Sequence, residues 1–146
     1  LKGIGQQMKW SVRDESLHSK MGCQLFRHMC EEDSSLLSEC REDVITAAKT
    51  MVELEEKYID KMFEMGDIEG IKSYDLKQFI KKRTNEKLVE LGYVDLGSYF
   101  AYDTKAATNL DWFYHLTGGV THTDFFAIRP TDYSKAGEGE DFEDVW

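Results

Sequence analysis

The chain has 146 residues, of which 18 are basic and 28 acidic, giving a net charge of −10. That length suits one domain with its own core, and the charge argues against nucleic acid or an anionic membrane as the main partner; a basic partner is easier to accommodate. A single proline, modest glycine content and runs rich in Glu, Lys, Leu and Met predict a mostly helical protein. No window approaches the ~18 apolar residues of a membrane span, and Leu1 to Gln7 lack the apolar core of a signal peptide. A soluble, cytoplasmic protein is therefore expected. Cys23, Cys30 and Cys40 form no Cys-x-x-Cys pair and fall in helical patterns, which predicts reduced, mostly buried thiols.

The first predicted helix covers about residues 4–30. Met8, Val12, Met21, Leu25, Phe26 and Met29 recur at the spacing of one helix face, and Glu15 and His18 fall within or beside that inward stripe. Glu15 and His18 stand three apart, so both leave the same side of the helix and can reach one metal ion. A buried carboxylate needs a compensating partner. One Glu-x-x-His is only a half-site, because a dimetal centre in a four-helix bundle uses two such motifs and a carboxylate from each of two further helices. This chain has no second Glu-x-x-His. Asp14, about 100° around the helix from Glu15, is placed to bond a histidine ligand presented by a neighbouring helix.

Asp33 or Ser34 is the expected cap of a second helix over about 34–65, with Leu37, Cys40, Val44, Ala47/Ala48, Met51, Leu54, Tyr58 and Met62 as its apolar seam. Gly66 and Gly70 frame a connection. A third helix is predicted over about 74–91, capped by Ser73 or Asp75, with Leu76, Phe79/Ile80, Lys87/Leu88 and Leu91 inward and Gly92 as its left-handed end. Lys81-Lys82-Arg83 within it is expected to be a solvated face. Residues 93–119 carry aromatics without a period, predicting a packed loop with a short helix near 110–116. His115, His122 and Asp124 lack ligand spacing and are expected in surface or capping roles.

The last sixteen residues hold six acids against Lys135. Such a segment cannot bury enough surface to order itself. It nevertheless ends Phe142-Glu-Asp-Val-Trp146, aromatic anchors that fit a docking peptide ordered by a partner.

Taken together, Arg13-Asp14-Glu15-x-x-His18, the two long helices after it, Glu90-Leu91-Gly92-Tyr93, Asp124-Phe125-Phe126 followed by Arg129 and Tyr133, and the acidic tail closing on an aromatic resemble, in order, the small, radical-generating subunit of class I ribonucleotide reductase. The resemblance covers nearly the whole chain. It implies an all-α, ferritin-like helical bundle, of which residues 1–119 are the C-terminal portion and 120–146 a flexible acidic tail docking to the large subunit. It further implies a dinuclear metal centre, two irons in first place with manganese as the alternative. Glu15 and His18 would be metal ligands, Asp14 the carboxylate joining the site to a radical-transfer route, and Tyr133 the tail tyrosine that passes the oxidising equivalent onward. Phe142, Val145 and Trp146 would dock on the large subunit.

The remaining ligands and the usual radical tyrosine would come from a separate N-terminal polypeptide, or from the rest of a longer chain of which this is a part, and assembled small subunits would pair as a dimer. Ser11 departs from the apolar side chain the family places near the radical pocket. Two other functions fit part of the pattern. Another ferritin-like dimetal oxidase would use Glu15 and His18 but leaves Tyr133 and the tail without a role. A non-catalytic helical interaction module would pair Glu15 and His18 with neighbouring polar groups.

Overall fold

The computed structural model describes residues 2–113. Helix α1 runs Lys2–Glu32 and stops where Asp33 turns its carboxylate onto the amide (3.0 Å) and hydroxyl (2.9 Å) of Ser35. Those two bonds hold the Asp33 carboxyl below its usual range. The expected second helix is divided. A short α2, Leu36–Glu39, is followed by α3, Arg41–Met62, because Cys40 between them has ψ −6, well short of the helical twist. Helix α3 ends at Met62, ahead of the expected residue 65, as Phe63 opens to ψ 12 and Gly66 takes φ 108.

Gly66 and Gly70 (φ 80) shape the connection to α4, Ser73–Glu90. Neither expected residue caps that helix. Lys72 holds the N-cap position, and the Ser73 amide donates to Asp67 Oδ1 across six residues at 3.1 Å. Its other end is as expected: Gly92, at φ 111, lets the Tyr93 amide reach Leu88 O (3.0 Å) and its own amide reach Val89 O (2.9 Å). These paired bonds satisfy carbonyls that the last turn leaves open. A 3-10 turn, Val94–Leu96, and helix α5, Thr104–Thr108, follow. Helix α5 was not foreseen, although Asp103 followed by small Ala106 and Ala107 is a capping signal. The Asp103 carboxylate accepts from the Lys105 (2.9 Å) and Ala106 (3.2 Å) amides. The helix expected near 110–116 is described only to Phe113, where Trp112 and Phe113 are helical.

The core lies between α3, α4 and the 3-10 turn: Ile45, Ala48, Leu88, Tyr93 and Leu96 are buried together, with Phe26, Leu37, Val44, Leu91 and Phe100 against them. The buried residues of α3 are Ile45, Ala48, Val52 and Ile59. Apart from Ala48, that stripe is the expected seam displaced by one residue, a rotation of about 100°. Met51, Leu54, Tyr58 and Met62 of the expected seam are exposed instead. Both stripes are apolar, and the one richer in β-branched residues faces α4. On α1 the expected inward stripe is also open, with Met8, Met21, Leu25 and Met29 exposed; Phe26 is the member that joins the core, 6.3 Å from the Tyr93 ring.

Helix α4 buries three polar residues absent from the expected face, Gln78, Thr84 and Asn85. Each has a backbone partner, which is what allows burial. Gln78 Oε1 accepts from the Asp103 amide (3.0 Å), Thr84 donates to Ile80 O (2.9 Å), and Asn85 bonds both backbone groups of Phe100. The basic run is likewise not simply solvated. Lys77 pairs with Asp60 (2.5 Å), Lys81 with Glu56 (2.9 Å), Lys82 with Asp111 (2.6 Å), Arg83 with Glu86 (2.8 Å) and Lys87 with Glu90 (2.6 Å). Three of these pairs bind α4 to its neighbours. No helix among the described residues is long and apolar enough to cross a membrane. The cysteines are free and half-buried, less enclosed than expected.

Candidate metal centre

Helix α1 carries the site. Its backbone bonds leave Asp14, Glu15 and His18 on adjoining ridges one turn apart. His18 stands between the two carboxylates: Nδ1 lies 3.8 Å from Glu15 Oε2, and Nε2 lies 3.9 Å from Asp14 Oδ2. One ligand atom from each of the three residues falls within 4.8 Å of the others. Two carboxylates and an imidazole are a donor set suited to iron, manganese or zinc. By chemistry and spacing the residues fit a metal.

Their burial differs from the expectation. The side chains of Asp14, Glu15 and His18 are 56%, 75% and 62% exposed, so the chain's own fold does not impose the buried-charge problem read from the stripe. The reason is the open face of α1, which the described helices do not cover.

Glu15 also borders a cavity of about 290 Å³ between α1 and α4, with Ser11, Val12, Ser16, Ser19, Arg83, Lys87 and Phe113. Ser11 therefore does stand beside a ligand candidate. Ser16, which the sequence did not single out, donates to Val12 O at 2.7 Å and so turns its hydroxyl back onto the helix. Arg83 and Lys87, facing Glu15 across the cavity, are engaged by Glu86 and Glu90 of their own helix.

The other candidates, Tyr133, Phe142, Val145 and Trp146, lie outside the described residues, as do His115, His122, Asp124 and Arg129. The division at 119/120 and the tail lie there too.

The family model described as "Ribonucleotide reductase, small chain" matches residues 1–98, which include the whole candidate centre. The chain belongs to this family. Ribonucleotide reductase small chains also supply its relatives. A probable ribonucleoside-diphosphate reductase small subunit of Invertebrate iridescent virus 3 is 33% identical over 138 residues, covering 93% of this chain and 35% of the relative. One from Invertebrate iridescent virus 6 is 29% identical over 168 residues, covering 100% and 46%. The ribonucleoside-diphosphate reductase subunit beta of Chlamydia pneumoniae is 25% identical over 138 residues, covering 94% and 38%. No solved structure matches the chain. The chain thus spans less than half the length of these small-chain relatives. Its described part is all-α, in keeping with the ferritin-like bundle of the family.

Proposed function

We propose that this chain works as the C-terminal portion of a ribonucleotide reductase small subunit, serving the reduction of ribonucleoside diphosphates to deoxyribonucleotides. The observation that carries the reading is the Asp14, Glu15, His18 cluster displayed on an open helix face of a chain of this family. Glu15 and His18 would hold part of a dinuclear metal centre, iron or manganese. When bound, that centre supplies the one-electron oxidant on which the large subunit depends.

An N-terminal polypeptide would bring the remaining ligands and cover the apolar faces left open on α1 and α3. Exposed stripes such as Met21, Leu25 and Met29, or Met51, Leu54 and Tyr58, are costly in water and gain from such cover. Covering α1 would also exclude water from the carboxylates, strengthening their hold on a cation. Asp14 would join the centre to the transfer route, and Tyr133, whose phenol can give up an electron and a proton together, would carry the equivalent toward the large subunit. Phe142, Val145 and Trp146 would anchor the acidic tail there. Completed small subunits would pair as a dimer in the cytoplasm.

The test is metal content. The chain alone should bind iron or manganese weakly, and stoichiometric binding should appear when an N-terminal small-subunit polypeptide with the missing ligands is added. Paired polypeptides that still bind no metal would overturn the assignment.

A further inference from the structure

We propose that Cys30 and Cys40 form a reversible oxidation site, in which hydrogen peroxide converts the two thiols to a disulfide that ties the end of α1 to the start of α3. From His18 to Cys30 the helix rises about 18 Å, so the site is independent of the candidate metal centre.

Several contacts gather the two thiols. Cys30 borders a cavity of about 170 Å³ that Leu37, Leu91 and Gly92 also line. Leu37 stands one turn before Cys40, whose amide bonds Leu36 O at 2.9 Å, so Leu37 and Cys40 share a side of that turn. Tyr93 is the common neighbour. Its ring lies 6.3 Å from that of Phe26, one turn before Cys30 on α1, and 5.8 Å from the guanidinium of Arg41, the residue after Cys40. Both thiols are free and half-buried. Burial pushes the Cys30 thiol up, and a charge on Cys40 adds to the rise, which puts the two sulfurs within electrostatic reach of each other.

Tyr93 itself is 2% exposed, and its hydroxyl has no hydrogen-bond partner among the described residues. Such a group is costly to bury. Burial pushes this phenol up, with charges on Cys40 and Cys30 adding to the rise, so the hydroxyl belongs to the same cluster. Oxidation of Cys30 brings the missing partner, because a sulfenic acid carries an oxygen that accepts a hydrogen bond.

Cys30, at the cavity, is the thiol that peroxide reaches first. Its sulfur attacks one peroxide oxygen, the O–O bond breaks, the thiol proton goes to the departing hydroxide, and the products are a sulfenic acid and water. The Cys40 sulfur then attacks the sulfenic sulfur, the S–O bond breaks, and a second water leaves with the Cys40 proton. Two thiols and one hydrogen peroxide give one disulfide and two waters, with two electrons passing from sulfur to the peroxide. Exchange with an added dithiol reverses the step.

The experiment treats the full chain with hydrogen peroxide, alkylates the remaining thiols and maps the peptides by mass. Free thiols should fall from three to one, with Cys30 joined to Cys40 and Cys23 alkylated, and dithiothreitol should restore all three. In urea the selectivity should vanish and links to Cys23 appear. Cys40→Ser should stop the reaction at a Cys30 sulfenic acid trapped by dimedone, and Cys30→Ser should leave Cys40 unoxidised at the same dose. Tyr93→Phe, added to Cys40→Ser, keeps the ring and should shorten the lifetime of that sulfenic acid. An unchanged lifetime would overturn the part given to the hydroxyl. Links to Cys23 in the folded chain, the same products in buffer as in urea, or alkylation of both Cys30 and Cys40 after treatment would overturn the proposal.

Discussion

Glu15 Oε2 and His18 Nδ1 face each other across 3.8 Å on the open side of α1, too far for a hydrogen bond and near enough to share one ion. Replacing Glu15 by Gln or His18 by Ala should therefore lower the metal content of the assembled complex and leave the helix content of the chain unchanged, because neither side chain is buried. Elemental analysis beside circular dichroism checks both halves of that expectation. Unchanged metal content and activity in His18→Ala would favour a helical interaction module.

The tail separates two enzymatic roles. Deleting residues 138–146 should abolish ribonucleotide reduction with the large subunit and leave metal content as it was, since Glu15 and His18 remain. An oxidase independent of a large subunit would be indifferent to the deletion, and oxygen consumption measured beside nucleotide reduction distinguishes the two.

The two faces of α3 should respond to different assays. Ile59, 1% exposed, should cost about 2–5 kcal/mol when cut to Ala, read as a lower urea midpoint of the chain. Leu54, 59% exposed on the other side, should change that midpoint by no more than about 0.5 kcal/mol when replaced by Lys. The same Leu54→Lys change should prevent association with the N-terminal polypeptide in a sedimentation experiment; normal association would remove this face from the proposed interface.

Asn85 clasps Phe100 at both backbone groups, donating to its carbonyl at 2.9 Å and accepting from its amide at 3.0 Å. Asn85→Ala leaves both without their partner and should destabilise the chain by about 1–3 kcal/mol. Amide hydrogen exchange should accelerate at Phe100 first. Unaltered protection there would show that the clasp does not hold this segment.

Arg41 links the start of α3 to the 3-10 turn through Asp95, with Nη1 to Oδ1 at 3.2 Å. The guanidinium holds the Asp95 carboxyl below its ordinary value. A carboxyl depressed in the folded state contributes stability that is present above its unfolded value, about 3.9, and lost as pH falls through the folded one. Arg41→Met should raise the Asp95 midpoint toward 3.9 in an NMR titration and flatten this part of the acid dependence. An unmoved midpoint would count against the pair.

Element types were legible, and Gly92 closes α4 as its left-handed conformation predicts, but the helix starts were not: Ser35, in place of the expected Asp33 or Ser34, holds the N-cap of α2, and Lys72 that of α4. Facing was less legible. Helix α3 has apolar residues at both 44, 51, 58 and 45, 52, 59, and periodicity alone does not say which row meets α4. Gln78 and Asn85 were missed because their partners are backbone groups of residues 100–103, which composition does not encode. At the candidate centre, spacing placed Glu15 and His18 together, but the Asp14 to His18 proximity required the actual rotamers.

The paired cations of α4 have a consequence at long range. Lys77, Lys81, Lys82, Arg83 and Lys87 are each neutralised by an adjacent acid, while the sequence as a whole keeps its charge of −10. To an approaching molecule beyond the ~10 Å screening distance of 0.1 M salt, this protein is an anion without a cationic handle on that helix. Two copies repel before their apolar faces can touch, whereas a basic chain is drawn in. Added salt should accordingly quicken self-association and slow the encounter with a basic partner.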